Sequence, residues 1–172
     1  MTDKDDRLSR SSSQQRFPQA DLPPANFNDP LSKLISEVEY SEYLSDKDLI
    51  DLLRKIETQG PANCTKAPKF VSQMLSHNNT KIRKSAYISA LAILAHPQNP
   101  RIMLLDAYRM ALCSSNSLVS QHAISMLPEF VDTCPEEANN LIKFGSMAYH
   151  KLPAPNTEAE MQLSRALTKA SQ

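Results

Sequence analysis

The sequence predicts an all-α protein: a short α-solenoid of about three to four stacked helix pairs over residues 30–172, behind a disordered tail over residues 1–29. Three observations carry that expectation. Glycine is scarce, with only Gly60 and Gly145, which suits helices and starves a hairpin-rich β fold of turn residues. From Leu31 onward apolar residues recur at three- and four-residue spacing, and no segment sustains a period of two. The chain also resembles itself when slid by 37 positions.

The first 29 residues are rich in Ser, Gln, Asp and Pro and poor in aliphatics. Such a segment buries too little apolar surface to offset its ordering entropy, so it reads as a disordered tail. Its string RLSRSSS has the look of a substrate for basophilic kinases. Helices follow. Leu31, Leu34, Ile35 and Val38 form the first apolar stripe, with Pro30 in the first turn. Ser45 and Asp48 have capping-box spacing ahead of Leu49, Leu52, Leu53 and Ile56, and Gly60-Pro61 stops that helix. Phe70, Val71, Met74 and Leu75 make a short third helix, and LSHNNTKIRKSAYISALAIL runs into a long fourth one ending near Ala95. Asn99 is expected to cap the fifth, with Pro100 at its first position. NSLVSQHAISMLPEFVDTC reads as one helix kinked by the internal Pro128, because proline removes a backbone hydrogen bond. Pro135, Glu136 and Glu137 open the seventh, and Thr157 with Glu160 caps the eighth, which carries Met161, Leu163, Ala166 and Leu167. The count is eight helices and no sheet.

At an offset of 37, Leu75 falls on Leu112, Ile82 on Val119, Ala86 on Ala123 and Ile93-Leu94 on Phe130-Val131. Leu104-Leu105 then falls on Leu141-Ile142, and a third, less regular unit follows as residues 136–150 plus 157–170. The polar turns match in kind, His77-Asn78-Asn79 against Ser114-Ser115-Asn116. A short helix, a polar turn and a longer second helix that opens on a β-branched residue and then a small one resemble HEAT repeats over residues 66 to 170. The family's usual turn Asp is absent from both copies, and Gln121 stands where a basic residue is common. A narrower resemblance lies in LPEF inside a second helix, a Cys-initiated next helix and a closing SRAL helix. These are similar to the C-terminal helical-repeat region of the Integrator complex subunit 1 family. That family is much longer than this chain, so the resemblance implies a fragment, a truncated product or a diverged short form. It also implies a nuclear scaffold role in RNA processing, with no catalytic residues of the chain's own.

Composition removes several functions. Two glycines 85 positions apart cannot build a GxxxxGK[ST] or GxGxxG phosphate loop. The four histidines show no HxxxH or HExxH spacing, and Cys64, Cys113 and Cys134 no CxxC, so neither metal nor cofactor is expected. Cys113 and His122 lie on neighbouring helices, yet no third group orients a base, so the chain is not expected to be an enzyme. Residues 2–6 do not open a signal peptide, and the apolar run 86–95 is too short to span a bilayer, so an intracellular and, from the narrower resemblance, nuclear place is expected.

Charge is distributed unevenly along a neutral chain. Residues 61–110 carry seven basic residues against Asp106 alone, a balance of +6, between ends that balance to −3 over 31–60 and −2 over 111–172. Three readings of this belt stand: solvated helix turns, a site for an acidic protein partner, or a nucleic-acid module. The candidate partner-binding residues are Lys66, Lys69, Lys81, Lys84 and Arg101, with Lys81 and Lys84 pointing outward. The expected function is a protein–protein scaffold holding other subunits of a larger complex. The alternative is a nucleic-acid-binding repeat using the basic belt of residues 66–109.

Overall fold

In a computed structural model, residues 29–39, 44–59, 66–153 and 156–172 are described. The tail 1–28, the Gly60-Pro61 stop and Cys64 lie outside them. The described residues form nine α-helices and a 3-10 turn, with no strand among them. They are α1 (Pro30–Glu39), α2 (Asp46–Gln59), α3 (Ala67–Met74), α4 (Thr80–Leu94), α5 (Arg101–Leu112), α6 (Ser117–Ser125), α7 (Leu127–Thr133), the 3-10 turn Pro135–Glu137, α8 (Ala138–Tyr149) and α9 (Thr157–Ala170).

The protein is an all-α helical repeat of two layers. First helices neighbour one another in the order α1, α3, α5, α8, and second helices in the order α2, α4, α6–α7, α9. Each second helix also packs on its own first helix, so the stack holds four pairs. Neighbour-only packing of this kind lets each pair bury a face that it could not bury alone. The register is closely kept: adding 37 to the bounds of α5 gives those of α8, and adding 37 to the start of α4 gives the start of α6. The repeat extends further back than residue 66, since Leu49, Leu53 and Ile56 of α2 stand 37 positions before Ala86, Ala90 and Ile93 of α4, all of them buried.

The caps follow the repeat. Asn79 Oδ1 accepts from the Lys81 backbone N–H at 2.8 Å, and Asn116 Oδ1 from that of Leu118 at 3.0 Å. Two positions earlier in each turn the same job recurs: His77 Nδ1 accepts from the Asn79 N–H and Ser114 Oγ from the Asn116 N–H. These side chains satisfy the orphan donors at a helix start. The Ser45–Asp48 capping box forms as expected, with Ser45 Oγ donating to Asp48 Oδ2 at 2.6 Å and accepting from the Asp48 N–H at 3.2 Å. The Ser45 backbone N–H donates to the same Oδ2 at 3.3 Å, and the hydroxyl and backbone bonds to the carboxylate lower the Asp48 pKa.

Three local expectations are corrected. Asn99 does not cap α5; its Nδ2 donates back to the Ile93 carbonyl at 2.9 Å and ties down the end of α4 instead. Pro100 takes the cap position, with extended backbone that proline already favours. Asn156, not Thr157, caps α9, accepting from the Ala159 N–H at 3.0 Å. Pro128 does more than kink a helix: α6 ends at Ser125, Met126 is a turn residue, and α7 starts anew with Pro128 in its first turn, where a missing N–H costs nothing. That split makes nine helices among the described residues where eight were expected.

One continuous core runs through the stack. Its centre is aromatic. Tyr108 and Phe130 stack at 3.7 Å between ring centroids with planes 2° apart, and Tyr87 meets both edge-on at 6.0 and 6.1 Å. The Tyr108 hydroxyl donates to the Ala123 carbonyl at 2.8 Å. Gly145 marks a close approach of α8 to its neighbours. A Cβ there would stand 2.5 Å from Leu127 Cδ2 of α7 and 3.5 Å from Leu163 Cδ1 of α9. Leu127 is fully buried, so any withdrawal of its side chain presses on other packed atoms. Gly145→Ala is therefore expected to lower stability by about 1 kcal/mol in a urea melt, because overpacking outweighs the helix-propensity gain of about 1 kcal/mol that the same change gives in an open helix.

Candidate interaction surface

The seven cations of the basic middle do not share one surface. Arg83 is internal, at 2% exposure. Its Nη1 donates to the His77 and Asn78 carbonyls at 2.7 and 2.9 Å, its Nη2 to Thr80 Oγ1 at 3.1 Å and its Nε to His122 Nδ1 at 3.3 Å. It braces its own turn and joins α4 to α6. The same register position in the next pair is Ser120, whose Oγ donates to the Leu112 carbonyl at 2.7 Å and braces that turn in turn. Arg101 pairs with Glu136 and also donates from Nη2 to the Thr133 carbonyl at 3.2 Å and toward Cys134 Sγ at 3.1 Å. Arg109 bridges Asp106 and Glu137, each at 2.7 Å. The α5 arginines thus act as rungs between α5 and the 3-10 turn ahead of α8, with part of the Arg101 side chain still exposed.

The four lysines divide between the layers. Lys66 and Lys69 belong to the start of α3, a first helix, where Lys66 Nζ donates to Ser36 Oγ of α1 and Lys69 is exposed. Lys81 and Lys84 lie one turn apart near the start of α4, a second helix, and both are exposed as expected. A five-residue connector, 75–79, joins the end of α3 to the start of α4, so the two lysine pairs sit at opposite ends of that hairpin. Phe70, Tyr87 and Tyr108 are core residues, which removes them as stacking platforms for bases.

A groove of about 270 Å³ lies between α4, α6 and the start of α9, and Lys84 of the exposed Lys81–Lys84 bank stands near enough to act on its His122. Arg83 forms part of its α4 wall, Leu118, His122 and Ser125 its α6 floor, and Glu158 its α9 wall. Leu118 is 68% exposed, and it was invisible to residue patterning because one leucine on a helix is ordinarily core. The His122 ring packs edge-on against Tyr87 at 5.1 Å. Burial lowers its pKa below the ordinary 6.5, and the charges of Arg83 and Lys84 lower it further. The unfolded chain therefore takes up this proton more readily than the folded one. Stability is expected to be full above pH 6.5 and to fall as pH drops toward the lowered folded value. Thermal melts between pH 7.5 and 5 check this, and His122→Gln should flatten that part of the profile.

Among the described residues no three His, Cys, Asp or Glu side chains gather as a metal-binding group, and no helix is long and apolar enough to cross a membrane. Cys113 is half-exposed and Cys134 is buried, its thiol pKa raised by that burial.

A family model for Integrator complex subunit 1, R4 domain, matches residues 38–135. That is 98 of 172 positions, more than half of the chain. The chain belongs to the Integrator complex subunit 1 R4-domain family. The matched R4 region runs from the end of α1 through α7 and includes the Lys81–Lys84 bank and the α6 floor of the groove, while α8 and α9 lie beyond it. No curated protein and no solved structure matches this R4-family chain.

Proposed function

We propose that this chain is a non-catalytic protein–protein scaffold, a component of a multi-subunit, Integrator-like complex acting in nuclear RNA processing. The observation that carries the reading is the R4-domain match, laid over a helical repeat whose packing is continuous from α2 through α7. The interior chemistry supports it. Buried hydroxyls and cations are spent on holding helices together, as in Ser89 Oγ donating to the Leu53 carbonyl of α2 at 2.8 Å. The partners are other protein subunits, met on the exposed faces of the two layers, and the place of action is the nucleus. Lys66 and Lys69 on the first-helix layer and Lys81 and Lys84 on the second-helix layer are contact residues for such subunits, with Arg101 serving from between pairs.

Affinity purification of the tagged full chain from nuclear extract, read by mass spectrometry, tests the reading. Integrator subunits are expected above an untagged control. Their absence, with the chain folded and nuclear, overturns it.

A further inference from the structure

We infer that the groove between α4, α6 and α9 is a docking site for an acidic peptide segment with an apolar anchor, supplied by a partner protein. The inference rests on the scaffold reading and names the chemistry of what one scaffold surface holds.

The floor calls for an apolar side chain. Leu118 is 68% exposed at the groove, which Ala159 of α9 also lines. A leucine so exposed in a groove gains by being covered. The α4 bank calls for negative charge. Lys84, which acts on His122, and Lys81 one turn before it are exposed, and among the described residues neither has an ion pair. Arg83 lies behind them with only neutral acceptors, so its charge also reaches the groove. Both cationic neighbours hold His122 toward its neutral form. The α9 wall reverses the sign. Glu158 stands there, its Oε1 accepting from Gln162 Nε2 at 2.6 Å. A phosphate backbone would meet that carboxylate and an apolar floor without stacking partners. A peptide whose acidic residues face α4 and whose apolar residue lies on Leu118 matches all three walls. Second helices stack about 10 Å apart, so crossing from α4 to α9 takes about 20 Å, or six to seven extended residues at about 3.3 Å each.

The test has two arms. In the first, the full chain is panned against a displayed library of random 12-residue peptides. Enriched peptides should set Asp or Glu beside Leu, Ile, Met or Phe and bind more weakly as salt rises. Their affinity should fall at least tenfold in Lys81→Glu/Lys84→Glu and in Leu118→Ser, and stay unchanged in Lys143→Glu, an exposed position of α8. No enrichment, enrichment without acidic residues, or affinities within twofold in both groove variants overturns the inference. A chain that sediments as a dimer, with dimerisation lost in Leu118→Ser, assigns the groove to a second copy and also overturns it. In the second arm the groove variants enter the affinity purification. Loss of one recovered subunit supports the inference. Unchanged recovery of every Integrator subunit overturns it and leaves the scaffold reading standing. No subunit recovered with the unaltered chain means that the scaffold reading falls first, and the inference with it.

Discussion

Phe130→Ala is expected to lower stability by about 3–5 kcal/mol, the usual range for a fully buried phenylalanine. Phe130 reaches the upper part of that range because of where it sits. It stacks on Tyr108 from α5 and meets Tyr87 from α4 at right angles, so one ring of α7 joins three helices. Removing it opens a cavity between two rigid aromatic neighbours, and flat rings collapse poorly into such a space. A domain's whole stability is about 5–15 kcal/mol, so the variant should be close to unfolding at 37 °C. Urea melts followed by circular dichroism check this. The denaturation midpoint should fall with little change in slope. Phe130→Leu, which keeps most of the volume, should cost about 1.5 kcal/mol or less. A loss under 1 kcal/mol for the alanine variant would contradict the stacked arrangement.

Arg83→Ala is expected to cost about 2–4 kcal/mol, because hydrogen bonds from a charged donor contribute about 1.5–3 kcal/mol each but are not additive. The guanidinium closes the 77–80 turn through three acceptors and reaches α6 through a fourth, so its loss frees a turn and an inter-pair contact together. Arg83→Lys should recover less than half of the loss. An ammonium on a flexible stem cannot present donors in the fork that spans the His77 and Asn78 carbonyls. Arg101→Ala is the informative contrast. Arg101 is a half-exposed rung to Glu136, and exposed ion pairs are worth about 0–1 kcal/mol.

The period was legible in the sequence because it is written in residues whose local physics is strong. Asn79 and Asn116 mark helix starts by a side-chain bond to a near neighbour, and Ala86 and Ala123 mark places where helices come close. The first pair escaped because Leu49 stands opposite Ala86: the position is equally buried but differs in size, and similarity of letters does not report burial. Asn99 shows the limit of cap reasoning. Its amide meets two helix ends within reach, the last turn of α4 and the start of α5, and only tertiary packing chooses the first. The basic middle shows the limit of counting charge. A tally treats Arg83, Arg101 and Lys84 alike, although one is interior, one is a rung and one is exposed. The groove was not legible at all, because Leu118, Lys84 and Glu158 come from three helices and meet only once the second layer is stacked.

The break at Met126 has a mechanical consequence. α4 is a single rod of 15 residues, whereas its counterpart is two short rods of nine and seven joined at one residue, where the Met126 N–H bonds to the Ala123 carbonyl at 3.1 Å. A continuous helix resists bending along its whole length, but a jointed one concentrates bending at the joint. Under load the stack should therefore flex at its third pair, as a lever with a stiff arm ahead of α5 and a compliant wrist at Met126, so that whatever the second layer grips can tilt without the layers parting.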